Sequence, residues 1–250
     1  MSILLDGVGR TYANGVAALQ GVSLEIPQGE FVSLLGPSGC GKSTLLAMLA
    51  GLDAPTDGRT TVEGRVGMVF QEAALFPWRS IRDNVAFGLE MQGVSRTERN
   101  ERAADLLRRV HLSRFANAFP HELSGGMRQR AAIARALATE PDVLLMDEPF
   151  GSLDAQTRSL LQEELLTLWQ GSGRTVVFVT HSLDEALLLS DRIVLLSARP
   201  GRVIGDYRVS AARPRAPAED AELAGLRHSL SGALAREVNL VSVAEETGNI

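Results

Sequence analysis

The stretch Gly36-Pro37-Ser38-Gly39-Cys40-Gly41-Lys42-Ser43 constrains the fold more than any other part of the chain. It follows the apolar run Phe31-Val32-Ser33-Leu34-Leu35 and precedes a helical pattern over 42–49, so it joins a buried strand to a helix. Glycines at these spacings let successive backbone N–H groups turn inward around an anion, and the helix that follows aims the positive end of its dipole at the same point. In that setting G-x-x-x-x-G-K-[ST] is a phosphate-binding loop, in which Lys42 reaches the β and γ oxygens of a nucleotide and the Ser43 hydroxyl ligates Mg2+. Thr44 belongs to the same turn. Lys42 is also the only lysine among 25 Lys and Arg residues. A chain that uses Arg wherever a positive charge suffices keeps a compact ammonium where a planar guanidinium would not fit a tight cradle. Cys40 reads as a small filler whose backbone N–H does the binding, at a helix N-terminus, a position that can depress a thiol pKa.

Further apolar runs at 66–70, 143–146, 176–179 and 193–196 alternate with helical patterns, which predicts a parallel sheet covered on both faces, an α/β architecture. Before residue 30, Val22, Leu24 and Ile26 alternate with polar positions and suit a half-buried antiparallel strand. The middle is helical. Ser95 and Glu98 form a capping box, and Glu98 with Arg102 and Asp105 with Arg109 are i,i+4 pairs, so the arginines of 96–114 make a solvated face rather than a nucleic-acid patch. We expect a helical subdomain over about 87–138. The tail opens on Ala-Ala-Arg-Pro-Arg-Ala-Pro, a linker composition, and continues as one amphipathic helix near 221–238.

A length of 250 residues fits one large domain, and a formal charge of −5 argues against a broad basic surface for nucleic acid. The single cysteine allows no internal disulfide, and neither a signal peptide nor a membrane-spanning run is expected. About 100 residues past the loop, a strand ends in Asp147-Glu148. Its end places Asp147 near the metal through water, while Glu148 on the γ-phosphate side can orient and deprotonate an attacking water.

Leu123-Ser124-Gly125-Gly126-Met127-Arg128-Gln129 is a capped, glycine-opened helix start, a second anion-binding terminus. It resembles the signature motif of ABC transporter ATPase subunits. The resemblance implies a P-loop NTPase (RecA-like) core with an antiparallel β subdomain and an inserted helical subdomain. It also implies a head-to-tail homodimer in which Ser124, Gly125 and Gly126 complete the ATP site of the partner. Within the same resemblance, Tyr12 stacks on adenine, and Gln71 touches Mg2+ and the attacking water. Ser152 and Asp154, in Gly151-Ser152-Leu153-Asp154, lie at the dimer interface, and His181 contacts the γ-phosphate. The expected ligands are therefore ATP and Mg2+. The catalytic set is Glu148, His181 and Gln71, and the metal set is Ser43, Gln71 and Asp147. The resemblance covers about residues 2–205, taken as one domain of 1–205 followed by a linker and short helix over 206–250.

Finer patterns resemble the importers of nitrate, sulfonates and taurine: Phe76-Pro77-Trp78-Arg79-Ser80-Ile81, then Asp83 to Leu89, and Leu168-Trp169-Gln170. They imply membrane permease subunits as partners, with a periplasmic solute-binding protein acting indirectly, on the cytoplasmic face of the bacterial inner membrane. Leu75, Phe76, Pro77 and Trp78 would line the groove for a permease helix. Two departures stand out: a short segment over 56–66, which implies a trimmed antiparallel subdomain, and Ser182 after His181 where Asp is common. A soluble ABC-type ATPase outside transport is the alternative. A P-loop kinase or switch GTPase is disfavoured by Ser124-Gly125-Gly126 and by the Asp-Glu pair.

Overall fold

The computed structural model describes residues 2–151, 153–215 and 220–246. In chain order the first half comprises β1 (Ile3–Thr11), β2 (Ala17–Ile26), β3 (Phe31–Leu35), α1 (Lys42–Leu49), β4 (Asp57–Val62), β5 (Val66–Val69), α2 (Ile81–Met91) and α3 (Arg96–Arg109). The second half comprises α4 (Gly125–Ala138), β6 (Val143–Asp147), α5 (Ala155–Trp169), β7 (Thr175–Thr180), α6 (Leu183–Leu189), β8 (Arg192–Leu196), β9 (Val203–Arg208) and α7 (Ala221–Glu246). They form two compact units, Met1–Glu63 with Thr175–Ile250, and Gly64–Arg174.

In the first unit β3 lies between β7 and β8, parallel to both, and β9 pairs antiparallel with β8. Every residue of β3 and β7 is buried, as a parallel sheet with both faces covered demands. A separate antiparallel sheet has the order β2-β1-β4. There the period-two pattern buries Ile3 and Leu5 of β1 beside Val22, Leu24 and Ile26 of β2. The short segment after residue 56 still supplies a strand of its own, β4. β9 carries the sheet to Arg208, and the tail that follows is tied down by Arg215. Its buried guanidinium donates to the carbonyls of Leu187, Ser190, Val209 and Ala211, and burial pulls its pKa down to about 10. That clamp leads into α7, which packs Leu223 and Leu230 against Leu187, Ile193 and Leu195.

In the second unit β5 runs parallel to β6. Helices α2, α3 and α4 close around Ile81, Val85, Leu89, Leu107, Ala131 and Ala134. The helical region starts at Ile81, ahead of the expected residue 87, because the Ser80 hydroxyl accepts from the Asp83 N–H at 3.1 Å and so caps α2. On α3 the Ser95 hydroxyl accepts from the Glu98 N–H, and Glu98–Arg102 and Asp105–Arg109 pair at 2.7 and 2.9 Å.

Candidate functional site

The phosphate loop leaves the C-terminal end of β3 and returns as α1. Gly41 is the N-cap of α1 at φ +98°, left-handed backbone that glycine adopts without strain, and a Cβ there would lie 2.7 Å from the Leu19 side chain. At Gly36 a Cβ would meet the Cys40 sulfur at 2.8 Å and the Leu196 carbonyl at 3.0 Å. At Gly36 and Gly41 the loop thus has no room for a side chain, which keeps the backbone there close and free to present its N–H groups to an anion. Lys42 is buried and donates from Nζ to the Gly36 and Pro37 carbonyls at 2.8 Å each, spanning its own loop. Ser38, Gly39 and Ser43 are exposed, and Pro37 and Cys40 are buried. The thiol of Cys40 corrects one expectation. Burial pushes its pKa up, and the opposing pull of the neighbouring Lys42 charge is the weaker influence.

Tyr12, just past β1, donates to or accepts from the Thr44 hydroxyl at 3.0 Å, which brings an aromatic ring to the first turns of α1. β3 and β7 pair with Leu35 opposite Thr180, so the phosphate loop and His181 leave neighbouring parallel strands at the same end. Ligands of open α/β sheets bind at such ends. His181 is exposed. The turn behind it is fixed by the Thr180 hydroxyl, which donates to the buried Glu185 carboxylate at 2.6 Å, and by Ser182, whose hydroxyl caps α6 by accepting from the Glu185 N–H. Ser182 therefore serves as a helix cap where Asp is common.

In the second unit Val69 of β5 lies opposite Met146 of β6, so Gln71 and the Asp147-Glu148 pair likewise emerge at matching strand ends. Asp147 is buried and Gln71 exposed. Glu148 has φ +43°, left-handed backbone that costs a non-glycine residue about 1–3 kcal/mol and is concentrated at functional sites. The Gly151 N–H donates to its carbonyl at 3.1 Å and holds the turn. Ser124 is the N-cap of α4, its hydroxyl accepting from the Met127 N–H at 3.3 Å, and Ser124 and Gly125 are exposed. Asp154 caps α5 by accepting from the Thr157 N–H at 3.0 Å, a hydrogen bond that holds its carboxyl below the usual range. Ser152 lies outside the described residues.

Sequence reasoning missed the side chains that hold the Gln71 segment. Gln129, buried on α4, donates to the Phe70 carbonyl at 3.1 Å, and Arg135 donates to the Ala73 and Ala74 carbonyls at 3.0 and 2.6 Å. Helix α4 therefore carries Ser124 at its start and the anchors of the Gln71 segment along its side. Farther on, buried Asn84 pins the loop that presents Trp78, whose side chain is 72% exposed. A glutamine and an arginine i,i+6 on a helix were visible, but acceptors that are backbone carbonyls about 60 positions away leave no sequence signal.

Residues 19–151 match the sequence profile of the ABC transporter family. The chain belongs to that family. It is 51% identical over 210 residues to an uncharacterized ABC transporter ATP-binding protein of Methanocaldococcus jannaschii, spanning 81% of this chain and 79% of the relative. It is 52% identical over 218 residues to a taurine import ATP-binding protein of Rhizobium johnstonii, spanning 84% and 83%. A solved dimeric ATP-binding cassette in a post-hydrolysis state, bound to ADP and Pi, superposes with a TM-score of 0.78 at 36% identity. It covers 84% of this chain and all of the solved one. The chain is thus an ATP-binding, ATP-hydrolysing cassette on a P-loop NTPase fold. Ser43 in the first unit offers a hydroxyl, and Gln71 and Asp147 in the second an amide and a carboxylate oxygen, each a hard donor of the kind Mg2+ takes.

Proposed function

We propose that this ABC cassette is the ATPase subunit of an importer for taurine or a related small sulfonate. It works as a homodimer beneath separate permease subunits on the cytoplasmic face of the bacterial cell membrane. The observation that carries this reading is the pairing of two anion-binding helix starts in one chain, α1 behind Gly41 and α4 behind Ser124, in a relative of a taurine import protein. A nucleotide needs one phosphate loop. The second terminus is accounted for when Ser124, Gly125 and Gly126 of one copy face the triphosphate of the other.

The mechanism follows from the residues. Lys42, freed from the Gly36 and Pro37 carbonyls, transfers its three donors to the β and γ oxygens, while Gly36, Pro37, Ser38, Gly39, Cys40, Gly41, Ser43 and Thr44 wrap the phosphates and Tyr12 takes the adenine. Ser43, Gln71 and Asp147 would hold Mg2+, which when bound would supply neutralisation of the phosphate charge. Glu148 orients the attacking water and takes its proton, and His181 hydrogen-bonds the γ-phosphate. Closure buries the triphosphate between copies, with Ser152 and Asp154 at the seam. Loss of the γ-phosphate removes the contacts that hold the copies together, and the dimer opens. Opening is read by the permease through the Gln71 segment and the loop bearing Leu75, Phe76, Pro77 and Trp78. Among the described residues no helix is long and apolar enough to cross a membrane. A periplasmic solute-binding protein delivers the solute without touching this subunit.

The test is uptake of labelled taurine by the host strain lacking this gene. Uptake should be lost, restored by the wild-type gene and not by Glu148→Gln. Unchanged uptake of taurine and of short alkanesulfonates would overturn the assignment of the solute.

A further inference from the structure

We propose that Arg10 is a positioning residue for the nucleotide base, acting through Tyr12; the proposal rests on the reading that Tyr12 stacks on adenine. Arg10 lies on β1, two positions before Tyr12, and its guanidinium carbon sits 4.9 Å from the centre of the tyrosine ring, over the ring. The same guanidinium is anchored from the other side. Its Nη2 is 2.6 Å from Oδ1 of Asp53, with the two side chains only 22% and 24% exposed. Asp53 follows the end of α1, where its own N–H donates to the Ala47 carbonyl and its carboxylate accepts from the Ala54 N–H at 2.8 Å. Arg10 Nε is buried and meets no hydrogen-bond acceptor among the described residues.

Tyr12 is therefore held at three points. A cation covers one face of its ring. Its hydroxyl bonds Thr44, and its backbone N–H and C=O close a tight turn with Val16 and Gly15 at 2.9 Å each. Tyr12 remains 38% exposed. With Arg10 over one face of the ring, a purine is left the other, and through Asp53 the guanidinium ties the ring to the C-terminal end of the helix whose N-terminal end takes the phosphates. The base-to-phosphate register is set before the nucleotide arrives, and the ring loses no further rotamer freedom on binding. Sequence alone does not disclose this pair, because Arg10 and Asp53 stand 43 positions apart and neither belongs to a phosphate motif.

The experiment is calorimetric titration of the full chain with MgATP and, separately, with magnesium tripolyphosphate, which lacks the base. Arg10→Ala should weaken ATP binding about two- to fivefold, the size of an exposed cation–π contact, and leave tripolyphosphate affinity unchanged. Asp53→Asn, which removes only the anchor, should move ATP affinity in the same direction. In a Tyr12→Ala background neither substitution should weaken ATP further. An equal loss for ATP and tripolyphosphate would reduce Arg10 to a structural residue. Wild-type or tighter ATP binding by Arg10→Ala and by Asp53→Asn would likewise overturn the proposal, tighter binding meaning that Arg10 occupies the place of the base. The two readings separate cleanly. If Tyr12→Ala leaves ATP affinity intact, stacking on Tyr12 itself fails; if it weakens ATP while the Arg10 and Asp53 variants do not, only the role of Arg10 fails.

Discussion

Replacing Asn84 by Ala should loosen the loop that presents Trp78 and cost about 2–4 kcal/mol of stability. Asn84 is fully buried on α2, and its amide makes four contacts with one short segment. Nδ2 donates to the carbonyls of Phe76, Arg79 and Ser80 at 3.1, 3.1 and 3.0 Å, and Oδ1 accepts from the Phe76 N–H at 2.7 Å. The losses are unequal. The Phe76 carbonyl keeps a bond from the Arg79 N–H, and the Ser80 carbonyl keeps one from the Asn84 N–H. The Phe76 N–H and the Arg79 carbonyl bear the change. Two such groups at about 1–3 kcal/mol each, reduced where water reaches the loop, give the range above. Urea unfolding of the variant, followed by circular dichroism, should show a lower midpoint with an unchanged slope. Tryptophan emission should shift as well, since the Trp78 ring lies 5.7 Å from that of Phe76, tilted by 45°, on the same segment. A loss below about 0.5 kcal/mol, the scale of an ordinary surface substitution, would refute the reasoning.

Three further outcomes follow from the site. Glu148→Gln keeps the shape of the side chain but removes the base, so ATP hydrolysis should fall on the order of 10²–10⁴-fold while nucleotide affinity is retained; hydrolysis at the parental rate would remove Glu148 from that role. Alkylation of Cys40 by iodoacetamide should be slow at pH 7.5 and still rising past pH 9, because burial raises the thiol pKa and leaves less thiolate at every lower pH; an inflection below that of a free thiol would contradict it. Trp78→Ala removes an exposed aromatic rather than a core residue, so the variant should fold and hydrolyse ATP but transport poorly. Wild-type uptake would show that the loop is not the dock.

What the sequence disclosed and what it hid divide along physical lines. The strand at 31–35 and the helix at 42–49 appear in the structure with those bounds, since an apolar run, a glycine loop and a helical pattern meet there without ambiguity. Strands β4 and β9 went unread. Their residues are exposed or half-buried, and a sequence such as Asp57-Gly58-Arg59-Thr60 carries no apolar signal. Helix α7 extends to Glu246, past the expected 238, because its end is no longer amphipathic: Val238 and Leu240 are exposed. Gly41 and Ser124 were visible because each has a backbone task, the left-handed turn and the helix cap. The supports, Gln129, Arg135, Asn84 and the Arg10–Asp53 pair, were not. Each reaches a carbonyl or a carboxylate brought near only by the fold, and a long polar side chain on a helix or strand reads as surface until its partner is known.

Sedimentation of the Glu148→Gln chain with and without MgATP probes the shared ATP site most directly. Two triphosphates clasped between paired copies should convert a monomer to a dimer that survives as long as the nucleotide does, and Ser124→Arg should abolish the conversion while leaving single-copy ATP binding in place. A chain that binds MgATP yet stays monomeric, also when permease subunits are supplied, would contradict the shared site.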